Sequence, residues 1–434
     1  FFIGFCHLNP TLGAEHVDEE TRHCFGETHA GFGFRGIKLE IANNAADPCM
    51  DAVMDAARRY GVPVLQHAAD QTHLGERAYH TDPEDVATLA RRHPDVPIIM
   101  AHMTSVAFRG LRAVRDCPNV VVDTSAYQPE AGLLRYAVDL LGPGRVLYGS
   151  DFPIRDWPVA LGRIAAAGLS DAERQMVGHS NATHLLNLAP VPSKLPQPTN
   201  PPTHQPTDLN CWLGSWPFRL AASATVEQLT ETLRKAGVAR GYVSALDAVL
   251  APDPGPANQA VRAAVSGVEL LSFVPVANPR LHGWLDDLEE TGTPYVRLVP
   301  NYHGYRLRDT VGIDAVDALL SIGRTPIIHA RLEDDRTRYH GLSVTAVPEA
   351  DLADTLRRWP DAPLVLAGCF LPEIERLASL STCAVFDSSM AEWAFTRKRL
   401  DAVLPPERLA LGTLAPLHDA LPAVWKWRGG RVVG

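Results

Sequence analysis

The sequence predicts an α/β protein built from two (β/α)8-barrel-type domains in tandem, and three observations lead to this prediction. Short apolar segments alternate with helical patterns through residues 1–188. A proline-rich segment interrupts the chain at 189–207. The motifs that precede this segment recur in the same order through residues 208–434, as expected of an internal repeat.

The apolar segments of the first domain lack the alternation of polar and apolar residues that marks a strand with one solvated face. Strands of this kind are buried on both faces, which occurs in parallel sheets covered by helices. Repeated βα units indicate a TIM-type barrel or a doubly wound sheet. We predict strands at 36–39, 62–66, 97–100, 120–122 and 145–148, with helices at 48–60, 83–92, 105–115 and 129–141.

Seven prolines lie between residues 190 and 206. Because proline fixes φ and lacks a backbone donor, this segment favours neither a helix interior nor a central strand. We therefore predict an extended linker at 189–207, between a domain at 1–188 and a domain at 208–434.

The two halves match at separations of 259 to 269 residues, which predicts a tandem duplication. The second copy starts near Leu209, far ahead of its Asn278, whereas the first copy reaches the matching Asn9 almost at once. We therefore expect the first copy to lack roughly two N-terminal βα units. It should show about six parallel strands, with an open seam against the second domain or a partner chain. The matched pairs are Asn9/Asn278, Lys38/Arg297, His67/His329, Asp123/Asp387 and Gly149/Gly412.

Composition excludes several classes of protein. The net charge of -10 argues against nucleic-acid binding, and no segment approaches the ~18 apolar residues of a membrane span. The seven cysteines are scattered and never in C-x-x-C spacing, which predicts a reducing, cytoplasmic location. We expect a small-molecule substrate, with homo-oligomer formation left open.

Three polar residues each end an apolar strand of the first domain: His67, His102 and Asp151. Barrel active sites lie at the C-terminal ends of strands, so these side chains should converge. A single histidine at a strand end is more often a hydrogen-bonded structural residue. Three such positions instead favour a divalent metal, zinc or alternatively manganese, with a position open for water.

The motifs around these residues resemble the amidohydrolase-related family of the amidohydrolase superfamily. That family comprises (β/α)8 metal-dependent hydrolases and also decarboxylases of the aminocarboxymuconate-semialdehyde type. The resemblance implies a metal ligand at His67, a ligand or substrate-polarising residue at His102, and a ligand and proton carrier at Asp151. The family's H-x-H pair has no counterpart in this chain, so we expect weak metal binding. The motifs are G-F-R-G-I-K-L, G-V-P-V-L-Q-H, V-P-I-I-M-A-H-M and G-S-D-F-P.

The second domain is predicted to be degenerate. Gly368 stands where the first copy has His102, Leu414 where it has Asp151, and only His329 is retained. One histidine cannot hold a catalytic zinc ion, so we expect a non-catalytic barrel without metal. A metal-free site that uses His329, Asp334 and Asp335 is the alternative.

Lys38 is a candidate for binding an anionic substrate or, if carbamylated, a second metal. The alternative is a charged residue paired inside the barrel, and the matching Arg297 favours this interpretation or an anion role. Glu40 and Asp123 lie at predicted strand ends, and Asp123 is interpreted as structural because Asp387 matches it.

The expected reaction is attack of metal-activated water on an amide, ester or lactone carbonyl, which breaks a C–N or C–O bond. Asp151 would move the proton and His102 would stabilise the oxyanion. Non-oxidative decarboxylation at the same metal is one alternative, and a non-catalytic scaffold is another.

Overall fold

A computed structural model describes residues 3–26, 33–39, 43–69, 80–126, 128–189, 205–289, 292–339 and 341–429. The chain divides into two compact units. Unit 1 comprises residues 1–127, 132–151 and 163–197, and unit 2 comprises residues 128–131, 152–162 and 198–434. The predicted linker falls largely on residues 190–204, which lie outside the described part, so the predicted domain boundaries stay a prediction.

Unit 1 is built on a parallel sheet. Among its described residues the sheet has six strands in the order of the chain, each paired with the next. The strands are β1 (Phe5–Leu8), β2 (Gly36–Leu39), β3 (Val64–Gln66), β4 (Ile98–Met100), β5 (Val120–Asp123) and β6 (Val146–Leu147). The α-helices in the described part of residues 1–189 are α1 (Ala14–Phe25), α2 (Met50–Tyr60), α3 (Pro83–Arg92), α4 (Met103–Ala113), α5 (Leu133–Leu141), α6 (Trp157–Ala166), α7 (Asp171–Gln175) and α8 (Asn181–Leu185). Residues 157–162 of α6 belong to unit 2, and all the other residues of these helices belong to unit 1.

The parallel α/β class of unit 1 is confirmed, and the strands β2 to β6 lie within or next to the predicted segments. Their residues are almost all buried, as expected for strands covered on both faces. Neither β1 nor α1 was predicted. The exposed histidine of β1, His7, breaks the apolar pattern of that strand. The helix predicted at 129–141 begins only at Leu133, after a left-handed Gly132 (φ 72°).

Unit 2 contains two sheets among its described residues. The first pairs β10 (Leu271–Phe273), β9 (Arg240–Ala245), β7 (Thr207–Ser215) and β8 (Ser223–Ala224). The second is a parallel sheet in chain order, with β11 (Val276–Ala277), β12 (Tyr295–Leu298), β13 (Thr325–His329), β14 (Val365–Ala367), β15 (Val385–Asp387) and β16 (Leu409–Ala410). A parallel bridge between Asp208 and Leu411 connects the end of β16 with β7.

Ten α-helices of the described part of unit 2 accompany these strands. They are α9 (Val226–Ala236), α10 (Asp247–Leu250), α11 (Gly255–Ala264), α12 (Asp286–Glu289), α13 (Pro300–His303), α14 (Thr310–Ser321), α15 (Glu349–Arg358), α16 (Leu371–Leu377), α17 (Thr396–Val403) and α18 (Ala420–Trp427). No helix in the described ranges of either unit is long and apolar enough to cross a membrane.

A fully buried carboxylate joins β7 to the residues after β16. Asp208 accepts hydrogen bonds from the backbone N–H of Asn210 (2.9 Å) and of Thr413 (3.1 Å), and from the Thr413 hydroxyl (2.5 Å). Burial is the largest influence on this carboxyl and raises the pKa of Asp208 to about 6 despite these donors. Because ionisation is harder in the folded than in the unfolded chain, Asp208 stabilises the fold below its unfolded pKa of ~3.9. This contribution is lost as the pH rises through 6.

We therefore predict that Asp208→Asn changes the pH dependence of unfolding. From pH 4.5 to 7.5, the free energy of unfolding of the wild type should fall relative to the variant by about 2 kcal/mol. Urea titrations at both pH values measure this difference. Asp314→Asn, which changes an exposed carboxylate of the same unit, should show no such divergence. Parallel pH profiles for the wild type and Asp208→Asn would contradict the prediction.

Candidate active site

Two imidazole rings meet at the carboxyl ends of neighbouring strands in unit 1. His67 follows β3 and His102 follows β4 by one further residue, and these two strands pair in parallel. The ring centroids lie 4.7 Å apart, with the planes inclined at 71°. Both side chains are partly exposed. Adjacent parallel strands thus bring together two of the three side chains predicted to converge.

Two residues at the carboxyl end of the neighbouring strand β5 hold His102 in place: Asp123, the last residue of the strand, and Ser125. The backbone N–H of His102 donates to Oδ1 of Asp123 (3.0 Å), and its Nδ1 lies 2.8 Å from the hydroxyl of Ser125. That hydroxyl lies 2.5 Å from the same Asp123 oxygen, to which it donates. One ring nitrogen is therefore bound to Ser125, and Nε2 is the nitrogen available to a ligand or a substrate.

His102 also has an uncommon backbone conformation. Its φ of 72° and ψ of 56° lie in the left-handed region, where a side chain costs roughly 1–2 kcal/mol. The matching Gly368 of unit 2 has the same φ of 72°. A Cβ at Gly368 would lie 2.2 Å from the backbone oxygen of Arg331, so only glycine fits there. Unit 1 thus keeps an imidazole in a conformation for which unit 2 uses glycine.

Asp151 follows β6 at the end of G-S-D and is partly exposed. Its φ of 57° is also left-handed, but the matching Leu414 has φ 59°, so this turn is a feature of the fold and is not specific to a carboxylate. In the described ranges, no three His, Cys, Asp or Glu side chains lie close enough to hold a metal ion together. The structure therefore pairs His67 with His102 but does not gather Asp151 with them into such a group.

The imidazole pair can be tested as a metal site by its donor chemistry. Imidazole nitrogens are donors that divalent cations take, and a hydrogen bond between Nδ1 of His102 and Ser125 is the usual support of a metal-ligating Nε2. The pair therefore fits a cation as two of its ligands. Further ligands would have to join this pair.

Lys38 lies on β2 with its ammonium 3.1 Å from the backbone oxygen of Leu39, to which it donates. It is partly exposed. Glu40, the other polar residue predicted at this strand end, lies outside the described residues.

Asp123 is more closely connected to the site than its structural interpretation from sequence suggested. It is 8% exposed, and its Oδ1 accepts from His102 and from both the backbone and the side chain of Ser125. Ser125 was not predicted. The available signal was the recurrence of an aspartate followed two residues later by serine in both halves, as D-T-S and D-S-S.

The matching centre of unit 2 contains a guanidinium. Arg297 on β12 is 0% exposed and donates to backbone oxygens of Leu209 and Tyr242 (both 2.8 Å) and to the hydroxyl of Ser244 (2.6 Å). Its Nη1 lies 2.9 Å from Nε2 of His329. Burial lowers the pKa of Arg297 to about 10, which still leaves it charged at neutral pH.

His329 cannot serve as a titrating group here. It is fully buried, and burial together with the Arg297 charge lowers its pKa well below the usual value. Asp334, the second residue of the alternative metal-free site, is paired with Arg336 (2.6 Å), and Asp335 with Arg338 (3.1 Å). Leu414 belongs to a buried apolar cluster together with Trp212, Trp216, Leu332, Met390 and Leu417.

The comparison with protein-family models concerns the first part of the chain. Residues 2–188 match the model of the amidohydrolase family, which supports a relation of this segment to the amidohydrolase superfamily. No curated protein matches the chain. The matched segment contains His67, His102 and Asp151 and spans less than half of the 434 residues.

Solved structures give weak overall likenesses. 2,6-Dihydroxybenzoate decarboxylase from Rhizobium is 18% identical, with 43% of this chain and 71% of that chain covered and a TM-score of 0.34. A dihydroxybenzoic acid decarboxylase from Polaromonas with bound manganese is 18% identical, with 43% and 69% covered and a TM-score of 0.33. Amidohydrolase 2 from Bifidobacterium longum subsp. infantis is 20% identical, with 36% and 63% covered and a TM-score of 0.29.

We predict that Arg297→Met lowers the free energy of unfolding by about 3–5 kcal/mol, because buried acceptors lose their charged donor. Lys38→Met, at the matched position of unit 1, should cost less than about 1 kcal/mol, since Lys38 is partly exposed. Urea unfolding of the two variants measures the difference. Equal losses in the free energy of unfolding would contradict the prediction that the buried hydrogen bonds of Arg297 stabilise unit 2.

The left-handed backbone at His102 gives a second prediction. His102→Gly should be more stable than His102→Ala by about 1 kcal/mol, because glycine adopts this conformation without a Cβ penalty. At Thr88, exposed in the middle of α3, the order should reverse, with glycine less stable than alanine by about 1 kcal/mol. Thermal or urea unfolding of the four variants measures which of glycine and alanine is more stable at each position. The same order of stability at His102 and Thr88 would contradict the prediction.

Proposed function

We propose that unit 1 contains a divalent-metal-dependent hydrolase site that acts on an amide, ester or lactone bond of a small molecule. The observation that carries the proposal is the contact between the His67 and His102 rings at 4.7 Å, at the carboxyl ends of two parallel strands. The match of residues 2–188 to the amidohydrolase family supports the same reaction class.

His67 and His102 would hold the cation through ring nitrogens, with Asp151 as the carboxylate proposed to join them. Nitrogen and oxygen donors of this kind suit zinc and also manganese. When bound, such an ion supplies Lewis acidity to a carbonyl oxygen and lowers the pKa of water.

The chain's own residues then have distinct tasks. Asp151 accepts a proton from the attacking water and passes it to the leaving group, as a carboxylate at the edge of the site can do. His102 presents the lone pair of Nε2 to the cation. The ammonium of Lys38, on the adjacent strand β2, attracts an anionic part of the substrate.

We further propose that both units derive from one (β/α)8 ancestor and that unit 2 has lost the chemistry. Matched backbone conformations at His102 and Gly368, and at Asp151 and Leu414, support the duplication. The buried Arg297 supports the loss of chemistry, because a charge that is already bonded on all sides leaves no place for a second cation.

The test is metal binding followed by turnover. We expect the chain to bind Zn²⁺ or Mn²⁺ in isothermal titration, and His67→Ala or His102→Ala to weaken binding at least ~10-fold. His329→Ala, the matched change in unit 2, should leave the metal stoichiometry unchanged. With metal present, hydrolysis in a panel of amides, esters and lactones should fall at least ~100-fold in Asp151→Asn, because a general acid–base group is removed.

Two results would overturn the proposal. If neither histidine variant weakens metal binding, the metal is not bound by His67 and His102 and the proposed site is wrong. Release of CO2 from aromatic carboxylates, with no hydrolysis of the panel, would replace hydrolysis by decarboxylation at the same residues.

A further inference from the structure

We propose that Asp123 and Ser125 act as positioning residues that fix the tautomer of His102, with the proton on Nδ1 and the lone pair on Nε2. This inference deepens the proposed function, because the tautomer matters for chemistry only if His102 belongs to a site. The arrangement of hydrogen bonds is nevertheless a property of the fold that can be tested by itself.

The direction of the hydrogen bonds follows from counting protons. The Ser125 hydroxyl has one proton and lies 2.5 Å from Oδ1 of Asp123. An ionised carboxylate only accepts, so the serine proton is directed to Asp123. The serine oxygen, 2.8 Å from Nδ1 of His102, is then an acceptor, and Nδ1 must be the donor. Nε2 of the neutral ring is left without a proton.

The carboxylate of Asp123, to which Ser125 donates, is held in one position. Besides the serine hydroxyl, its Oδ1 accepts the backbone N–H groups of Ser125 and His102, both at 3.0 Å. A Cβ added to Gly149 would lie 2.9 Å from Cγ of Asp123, so the next strand end packs directly against the carboxylate. Asp123 and Ser125 are 8% and 3% exposed, so water competes little for these bonds.

Unit 2 repeats the carboxylate and the hydroxyl without the ring. Asp387 accepts from the backbone N–H of Gly368 (2.8 Å) and from the hydroxyl of Ser389 (3.0 Å). The contact between the aspartate and the backbone is therefore shared by both units and serves the fold. The contact of the hydroxyl with an imidazole occurs only in unit 1, where His102 stands in place of glycine. This difference separates a positioning role from a structural one and supplies a matched control.

The test is the tautomer itself, read from ¹⁵N chemical shifts in the ¹⁵N-histidine-labelled full chain. The resonances of His102, one of 17 histidines, are assigned by their absence in His102→Gln. We expect the neutral wild-type ring to carry its proton on Nδ1, the reverse of the form favoured by free imidazole side chains in water. Ser125→Ala should lower the ratio of the Nδ1–H to the Nε2–H form about fivefold, the effect of one hydrogen bond.

Two further variants serve as controls for the effect of Ser125→Ala. Ser125→Thr retains the hydroxyl and should restore the wild-type tautomer, whereas Ser389→Ala, the matched change in unit 2, should leave the His102 signals unchanged. A wild-type ring protonated on Nε2 would overturn the inference even if Ser125→Ala failed to fold. An unchanged tautomer in a folded Ser125→Ala would also overturn it.

The outcome separates this inference from the proposed function. If the tautomer behaves as expected but the chain binds no metal and turns over no substrate, the positioning of His102 stands and the hydrolase proposal fails. If the chain is active, Ser125→Ala should lower kcat about 10-fold or more with KM nearly unchanged, and Ser125→Thr should recover it. An active Ser125→Ala with wild-type kcat would show that the tautomer has no part in the reaction.

Discussion

The centres of both units depend on a buried aspartate at the end of a strand. This aspartate accepts a hydrogen bond from the backbone N–H of a left-handed residue that follows the preceding strand. Asp123 holds His102 in this way, and Asp387 holds Gly368. Because a carboxylate has more acceptor positions than one backbone N–H can use, each aspartate also accepts from a serine two residues later. These hydrogen bonds fix the strand ends in both units, whether or not the unit contains an imidazole at this position.

The two units use this shared frame differently. In unit 1 the residue at the left-handed position has a ring, and the serine hydroxyl can bond to it. In unit 2 that position is glycine, and Asp387 accepts instead from the side chain of Asn210 (2.7 Å). Burial raises the pKa of Asp387, and hydrogen bonds from this amide, the Gly368 backbone N–H and the Ser389 hydroxyl offset part of the cost of its charge. The centre of unit 2, which has no imidazole at this position, is closed by internal polar contacts.

The sequence predicts the features that depend on local pattern. Uninterrupted apolar segments predicted the buried parallel strands β2 to β6, and strand-end positions predicted that His67 and His102 would meet. The role of Ser125 could not be predicted, because it depends on the left-handed backbone of His102, which no local pattern specifies. Nor could the contacts of Arg297 be predicted, because they join it to residues 32 to 88 positions away on other strands.

The contrast between His102 and Gly368 bears most directly on whether unit 1 is functional. Glycine at a left-handed position is more stable than a residue with a side chain. Unit 2 has glycine there, and its central cation is a buried arginine that needs no ligand from solution. Unit 1 keeps the strained histidine and leaves both rings partly exposed. Left-handed strain alone does not mark a site of chemistry, because Leu414 of unit 2 is left-handed too. His102 differs from it because its partly exposed ring lies against that of His67.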